Sequence, residues 1–99
     1  MAWVKVAGVN DIASGKNKCS TAGGKPLAVF NVGGKFFVID NTCTHRHGSL
    51  CEGELDGKIV TCPLHGHQFE VTSGQAQSGD PNVKSYNTKV EGSNVMADI

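Results

Sequence analysis

Apolar residues along the chain recur in short runs that are separated by glycine-containing turns. Seven of these runs are rich in Val, Ile, Phe and Tyr and are predicted as strands: Trp3–Val6, Pro26–Val32, Lys35–Ile39, Lys58–Cys62, His67–Val71, Ser85–Glu91 and Asn94–Ile99. No stretch shows a sustained helical period, and the single weak helix signal, at Asn10–Ala13, amounts to one capped turn. The pattern predicts an all-β fold.

The turns strengthen this prediction. Val32–Lys35 is predicted as a tight hairpin, because its two central glycines can both adopt positive φ. There is no internal repeat and no linker-like stretch, so residues 1–99 are expected to form one domain. At 99 residues, such a domain lies near the lower end of independent stability, and a cross-link or metal centre would help it.

Charge and hydropathy exclude several classes of function. Nine basic and nine acidic residues give no net charge, and no basic patch supports nucleic-acid binding. The chain has neither an apolar run long enough to span a bilayer nor the features of a signal peptide. We therefore expect a soluble cytoplasmic protein that binds neither nucleic acid nor membrane.

Two segments carry the candidate chemistry, CTHRHGSL at residues 43–50 and CPLHGHQF at residues 62–69. Together they hold two of the four cysteines and all four histidines. The spacing is Cys43-x-His45, sixteen residues, then Cys62-x-x-His65. Residues 41–57 and 63–66 contain few β-forming residues, and each of these stretches follows a strand-like run. We therefore expect two loops that project from adjacent strands and meet at a tip.

Thiolate and imidazole ligands suit zinc, and they also suit iron in an iron–sulfur centre. Two cysteines and two histidines would complete a zinc tetrahedron, although zinc sites more often pair like ligands at short spacing. The mixed pairing favours a two-iron cluster in which one iron takes a thiolate from each loop and the other iron takes an imidazole. The residues alone leave a structural zinc site open.

The two loops resemble the Rieske [2Fe–2S] signature, in which two histidines replace two cysteines on one iron. The resemblance extends through Ser49–Gly57, Gly66, Phe69, the Thr72–Gly74 turn and Pro81, and so covers nearly the whole chain. It implies a Rieske-type fold of stacked antiparallel sheets. A cluster-binding subdomain of approximately residues 41–70 would form one tip of that fold.

Transferred position by position, the resemblance assigns Cys43 and Cys62 to the inner iron and His45 and His65 to the outer iron. His47 is then either an exposed loop histidine or a contact for a redox partner, and His67 belongs to the rim of the second loop. Arg46 stands where similar proteins have glycine. Its charge steers an acidic partner, raises the reduction potential slightly or is simply solvated.

Departures from the family pattern indicate which kind of Rieske protein this is. The high-potential members carry a disulfide between the two loops, and the matching positions here are Gly48 and Leu64. Their serine and tyrosine hydrogen-bond donors are replaced by His67 and Phe69. Because hydrogen bonds to sulfur stabilise the charge added on reduction, their loss predicts a low-potential centre.

The remaining cysteines, Cys19 and Cys51, are expected to be free thiols, because disulfides are rare in a reducing cytosol. Cys51 occupies a position that suggests a small packed residue. The acidic residues Glu52, Glu54 and Asp56 form either a solvated turn or part of a docking surface for a basic reductase.

The resemblance is closest to the ferredoxin components of ring-hydroxylating dioxygenases of aromatic hydrocarbon catabolism. It implies a monomeric carrier with one [2Fe–2S] cluster and no catalytic residues. Such a carrier passes electrons from a flavin-dependent NAD(P)H reductase to a terminal oxygenase. The alternatives are a zinc-stabilised interaction module and a Rieske protein that serves a different redox partner.

Overall fold

The computed structural model describes residues 2–42, 48–63, 66–77 and 81–99, and their secondary structure is almost entirely β. One 3₁₀ turn, Leu50–Glu52, accompanies the strands. The strands, numbered in chain order, are β1 Trp3–Gly8, β2 Asn17–Ala22, β3 Lys25–Val32, β4 Lys35–Asp40, β5 Glu54–Asp56, β6 Ile59–Thr61, β7 Gln68–Glu70, β8 Ser85–Tyr86, β9 Thr88–Glu91 and β10 Asn94–Asp98. The all-β prediction is confirmed.

The strands form three antiparallel sheets. Their orders are β1-β10-β9, β2-β3-β4-β8 and β5-β6-β7. The four-stranded sheet is central, because β3 is buried on both faces. Leu27 and Val29 pack with residues of β1 and β10, whereas Ala28 and Phe30 pack with residues of β6 and β7. A strand covered on both sides needs no polar alternation, which explains the apolar run of β3.

Two elements that the apolar pattern did not predict are β2 and β5. The sequence of β2, NKCSTA, is polar because β2 is an edge strand in which no residue is fully buried. The run predicted at Ser85–Glu91 is divided into β8 and β9 at Asn87. Asn10–Ala13 is not helical; a turn forms there, in which the Gly8 amide donates to Asp11 Oδ2 at 2.8 Å.

The predicted glycine hairpin is confirmed, with φ of 60° at Gly33 and 93° at Gly34 between β3 and β4. No helix in the described part of the chain is long and apolar enough to cross a membrane.

A buried tyrosine fastens the short strand β8 to the end of β4. The Tyr86 hydroxyl donates a hydrogen bond of 2.5 Å to Asp40 Oδ1. Burial raises the pKa of Tyr86 to about 12, and the hydrogen bond and negative charge of Asp40 act in the same direction. The ammonium groups of Lys25 and Lys84 lie 5.9 and 5.1 Å from the ring centroid. Asp40 lies three residues before Cys43, so this contact holds the strand from which the first loop departs.

The raised pKa of Tyr86 predicts a specific loss of stability in alkali. The folded protein retains the phenolic proton more tightly than the unfolded chain, whose tyrosine has a pKa of about 10. The stabilisation is therefore fully present below pH 10 and is lost as the pH rises towards about 12. Urea unfolding across this range should show the wild-type protein losing more stability than Tyr86→Phe.

Tyr86 is the only tyrosine in the sequence, so its titration can also be followed directly by tyrosinate absorbance. We expect the absorbance to change with a midpoint near pH 12 in the folded protein and near pH 10 in the protein unfolded by urea. Parallel losses of stability in the wild type and Tyr86→Phe, or a single midpoint near 10 in both states, would contradict this interpretation.

Candidate metal centre

The structure describes one of the four assigned ligand residues, Cys62, which directly follows β6. Its side chain is 1% exposed, and among the described cysteines it alone is a free thiol. The other three assigned ligands, Cys43, His45 and His65, lie outside the described residues. The same is true of Arg46, His47 and Leu64. No group of three or more potential metal ligands occurs within the described ranges, as expected when they include only Cys62 of the four.

Hydrogen bonds close the base of the second loop. The Cys62 amide donates to the His67 carbonyl at 2.7 Å, and the Gly66 amide donates to the Cys62 carbonyl at 3.0 Å. Gly66 has φ of 76°, which lets the chain reverse direction between β6 and β7. Pro63 and Gly66 are exposed, whereas Cys62 is buried. The cysteine therefore lies at the inner end of its loop, and the predicted comparison with His65 lies outside the described residues.

Asn41 closes the base of the first loop. Its carbonyl accepts a hydrogen bond from the Leu50 amide at 2.8 Å, and its Oδ1 accepts one from the Cys51 amide at 2.7 Å. A β-bridge between Thr42 and Ser49 lies next to these bonds. The chain thus leaves β4 and returns at almost the same point. Sequence analysis did not identify Asn41, because asparagine at a strand end is ordinary in any loop.

Strand β2 holds the returning segment from the other side. Asn17 Nδ2 donates to the carbonyl oxygens of Cys51 at 2.6 Å and Gly53 at 3.1 Å. Gly53 itself must be small, because a Cβ at this position would overlap the Thr61 carbonyl and the Val60 side chain. The 3₁₀ turn therefore packs closely between β2 and β6.

Cys19 and Cys51 form a disulfide, with their Cα atoms 4.8 Å apart. The prediction that both are free thiols is wrong. It rested on the rarity of disulfides in a reducing cytosol, whereas β2 carries Cys19 to the 3₁₀ turn that contains Cys51. The Cα separation lies within the usual range for disulfides. A covalent bond thus joins the central sheet to the segment that follows the first loop.

The two loops do not project from adjacent strands, so this prediction is also wrong. The first follows β4 of the central sheet, whereas the second joins β6 to β7 of another sheet. Their bases nevertheless share one buried cluster that contains Leu50, Cys51, Cys62 and Phe69. Packing between sheets, rather than strand pairing, brings the two bases together.

The state of the cysteines fits a two-iron cluster. Because Cys19 and Cys51 are bonded to each other, the chain retains two thiols, Cys43 and Cys62, for a metal centre. A Rieske cluster takes two cysteine and two histidine ligands, and each candidate segment contains one cysteine and two histidines, the first of which lies at the spacing of the Rieske signature. The donor set is therefore suited to one iron with two thiolates and one with two imidazoles.

Acidic residues border the second loop. A groove of about 660 Å³ runs beside Cys62 and Pro63, and the exposed side chains of Glu52, Glu54 and Asp56 line it. We call these three residues the acidic rim. The structure thus places the charged group noted in the sequence directly beside the candidate centre.

Comparisons with known proteins show the family of the chain. Residues 2–90 match the Rieske [2Fe–2S] domain. The ferredoxin component of the naphthalene 1,2-dioxygenase system of Pseudomonas putida is 35% identical over 99 residues, covering 98% of this chain and 95% of the relative.

Solved structures show the same relationship. The Sphingomonas yanoikuyae B1 ferredoxin superposes with a TM-score of 0.92 at 32% identity, covering 99% of both chains. A chain from the complex of reduced oxygenase and oxidised ferredoxin in carbazole 1,9a-dioxygenase superposes with a TM-score of 0.88 at 35% identity. The match covers 96% of this chain and 91% of that chain. The expected Rieske-type fold and cofactor are confirmed. This chain belongs to the Rieske [2Fe–2S] family and, like the ferredoxin components it resembles, is an electron-transfer protein with one Rieske-type cluster.

Proposed function

We propose that this protein carries single electrons from a flavin-dependent NAD(P)H reductase to the terminal oxygenase of an aromatic ring-hydroxylating dioxygenase. The observation that carries the proposal is the similarity to a dioxygenase ferredoxin component along almost the full length of both chains. NAD(P)H-dependent partners favour a cytoplasmic location, and we propose that the carrier acts there as a monomer. The aromatic substrate is bound by the oxygenase and not by this chain.

Cys43, His45, Cys62 and His65 are the proposed cluster ligands. When bound, the cluster accepts and releases one electron. Cys62 supports the inner iron from a buried position, which excludes water from that side of the centre. His45 and His65 are the proposed route by which the electron leaves. The proposed cluster-binding subdomain, residues 41–70, extends from Asn41 at the base of the first loop to the end of β7.

The acidic rim is the proposed docking surface for the reductase. Its carboxylates are exposed and lie along the groove beside the second loop, where a basic partner would approach the centre. Complementary charge mainly accelerates encounter and adds less to the stability of the complex.

The ligand assignment predicts a clear division among the histidines. His45→Ala and His65→Ala should each abolish the native cluster spectrum, because the outer iron loses an imidazole that no neighbour replaces. His47→Ala and His67→Ala are the matched controls and should retain the spectrum. The variants without the spectrum should also fail to pass electrons from reductase to oxygenase. Loss of the cluster in His47→Ala with retention in His45→Ala would reverse the assignment.

The reduction potential should be low, because Phe69 offers no hydroxyl to a cluster sulfur. A redox titration at pH 7 should give a midpoint between about −150 mV and somewhat below zero. Phe69 is fully buried in the core cluster beside the second loop. Phe69→Tyr should raise the midpoint by adding a donor, whereas Phe37→Tyr, at the margin of the same core, should leave it unchanged. A wild-type midpoint above about +100 mV would contradict the low-potential assignment.

Charge reversal tests the docking surface. In stopped-flow reduction by the reductase, Glu54→Lys should lower the association rate several-fold at low ionic strength. The difference from wild type should vanish at high salt, because screening suppresses interactions between exposed charges. Glu91→Lys, an exposed substitution on β9 in a different sheet, is the control and should have little effect. Equal slowing by both variants would contradict a local docking role for the acidic rim.

A further inference from the structure

The two cysteines of the Cys19–Cys51 disulfide differ in their exposure to solvent. Cys19 lies on the edge strand β2 and is exposed. Cys51 is 6% exposed and belongs to the core cluster that also contains Cys62. A nucleophile from solvent can therefore approach Cys19, whereas the protein interior covers Cys51.

We propose that Cys19–Cys51 is a thiol–disulfide exchange site for low-molecular-weight thiols of the glutathione class. The thiolate of the small molecule attacks Cys19 Sγ and forms a mixed disulfide. The original sulfur–sulfur bond breaks, and Cys51 leaves as a thiolate that takes up a proton. A second small thiolate attacks the sulfur of the bound small thiol, which releases the small-molecule disulfide and leaves Cys19 as a thiolate that is then protonated. In total, two small thiols are oxidised and the protein disulfide gains two electrons and two protons.

Exchange at this bond acts on the segment that leaves the first cluster loop. The Cys51 amide donates a hydrogen bond to Asn41 Oδ1, and the Cys51 carbonyl accepts one from Asn17 Nδ2. Cys51 therefore connects β2 with the base of the first loop. The disulfide adds a covalent link across 32 residues of sequence. When it opens, the segment is held by the hydrogen bonds of Asn17 and Asn41, the Thr42–Ser49 bridge and the packing of its buried side chains, without a covalent link. The dithiol form therefore holds the first loop less tightly and releases the cluster more readily.

The position of the bond distinguishes it from a purely structural cross-link. A structural disulfide buried on both sides would react with thiols only after unfolding. Here the folded protein exposes one sulfur-bearing residue, and the other is retained in the core. The direction of attack is thus set by burial, and the adduct is formed at Cys19.

Titration of the folded holoprotein in anaerobic glutathione buffers tests this proposal. After an acid quench and alkylation, peptide mass analysis should show Cys19 and Cys51 passing together from disulfide to dithiol as the buffer becomes more reducing. A disulfide that resists reduction until denaturant is added would overturn the proposal, as would two free thiols in every buffer. This measurement needs neither reductase nor oxygenase, so its result does not depend on whether the proposed redox partners are correct.

Two single variants test the direction of attack. In Cys51→Ala, oxidised glutathione should modify Cys19 readily. In Cys19→Ala, the remaining Cys51 should react at least about tenfold more slowly than Cys19 does in Cys51→Ala, because the reaction requires local opening of the core. Equal modification rates in the two folded variants would overturn the assignment of Cys19 as the entry point.

Cluster retention tests the consequence for the centre. With an iron chelator present, visible absorbance should decay several-fold faster in the dithiol form than in the disulfide form. The double variant Cys19→Ala/Cys51→Ala should decay like the dithiol form, and its rate should not respond to glutathione. Identical decay rates for the two forms of the wild type would overturn the coupling between this bond and the cluster.

Discussion

Burial of strand β3 on both faces is the constraint on which the rest of the molecule depends. Alternate side chains of this one strand contribute to two separate cores, one with β1 and β10 and the other with β6 and β7. Full burial of a large aliphatic or aromatic side chain contributes about 1.5–3 kcal/mol. The fully buried residues of β3 therefore join the central sheet to both outer sheets. The second of these cores supports the metal centre.

The proposed metal centre depends on that packing because the bases of the two candidate loops lie on different sheets. Asn41 closes one loop and the Cys62–His67 hydrogen bond closes the other, so each loop is defined locally. Their relative position is set by the apolar side chains beneath them, including Leu50 and Phe69. A bond between Cys19 and Cys51 then ties this core to the edge of the central sheet.

Local chemistry was readable from the sequence, and long-range placement was not. Val32–Lys35 contains its own hairpin signal, and the two Cys/His segments carry the resemblance to the Rieske signature. By contrast, β2 has no apolar pattern, because an edge strand buries little. Without β2 there was no reason to place Cys19 beside Cys51, which lies 32 residues away. The missed role of Asn17 has the same origin, because Asn17 also lies on β2.

The position of the loop bases on separate sheets also affects how the site assembles. Contacts between residues that are distant in sequence form slowly, because chain closure costs entropy before those contacts stabilise the structure. The loop bases become neighbours through the packing of β3 against β6 and β7. A centre held at these bases therefore depends on contacts between parts of the chain that are distant in sequence.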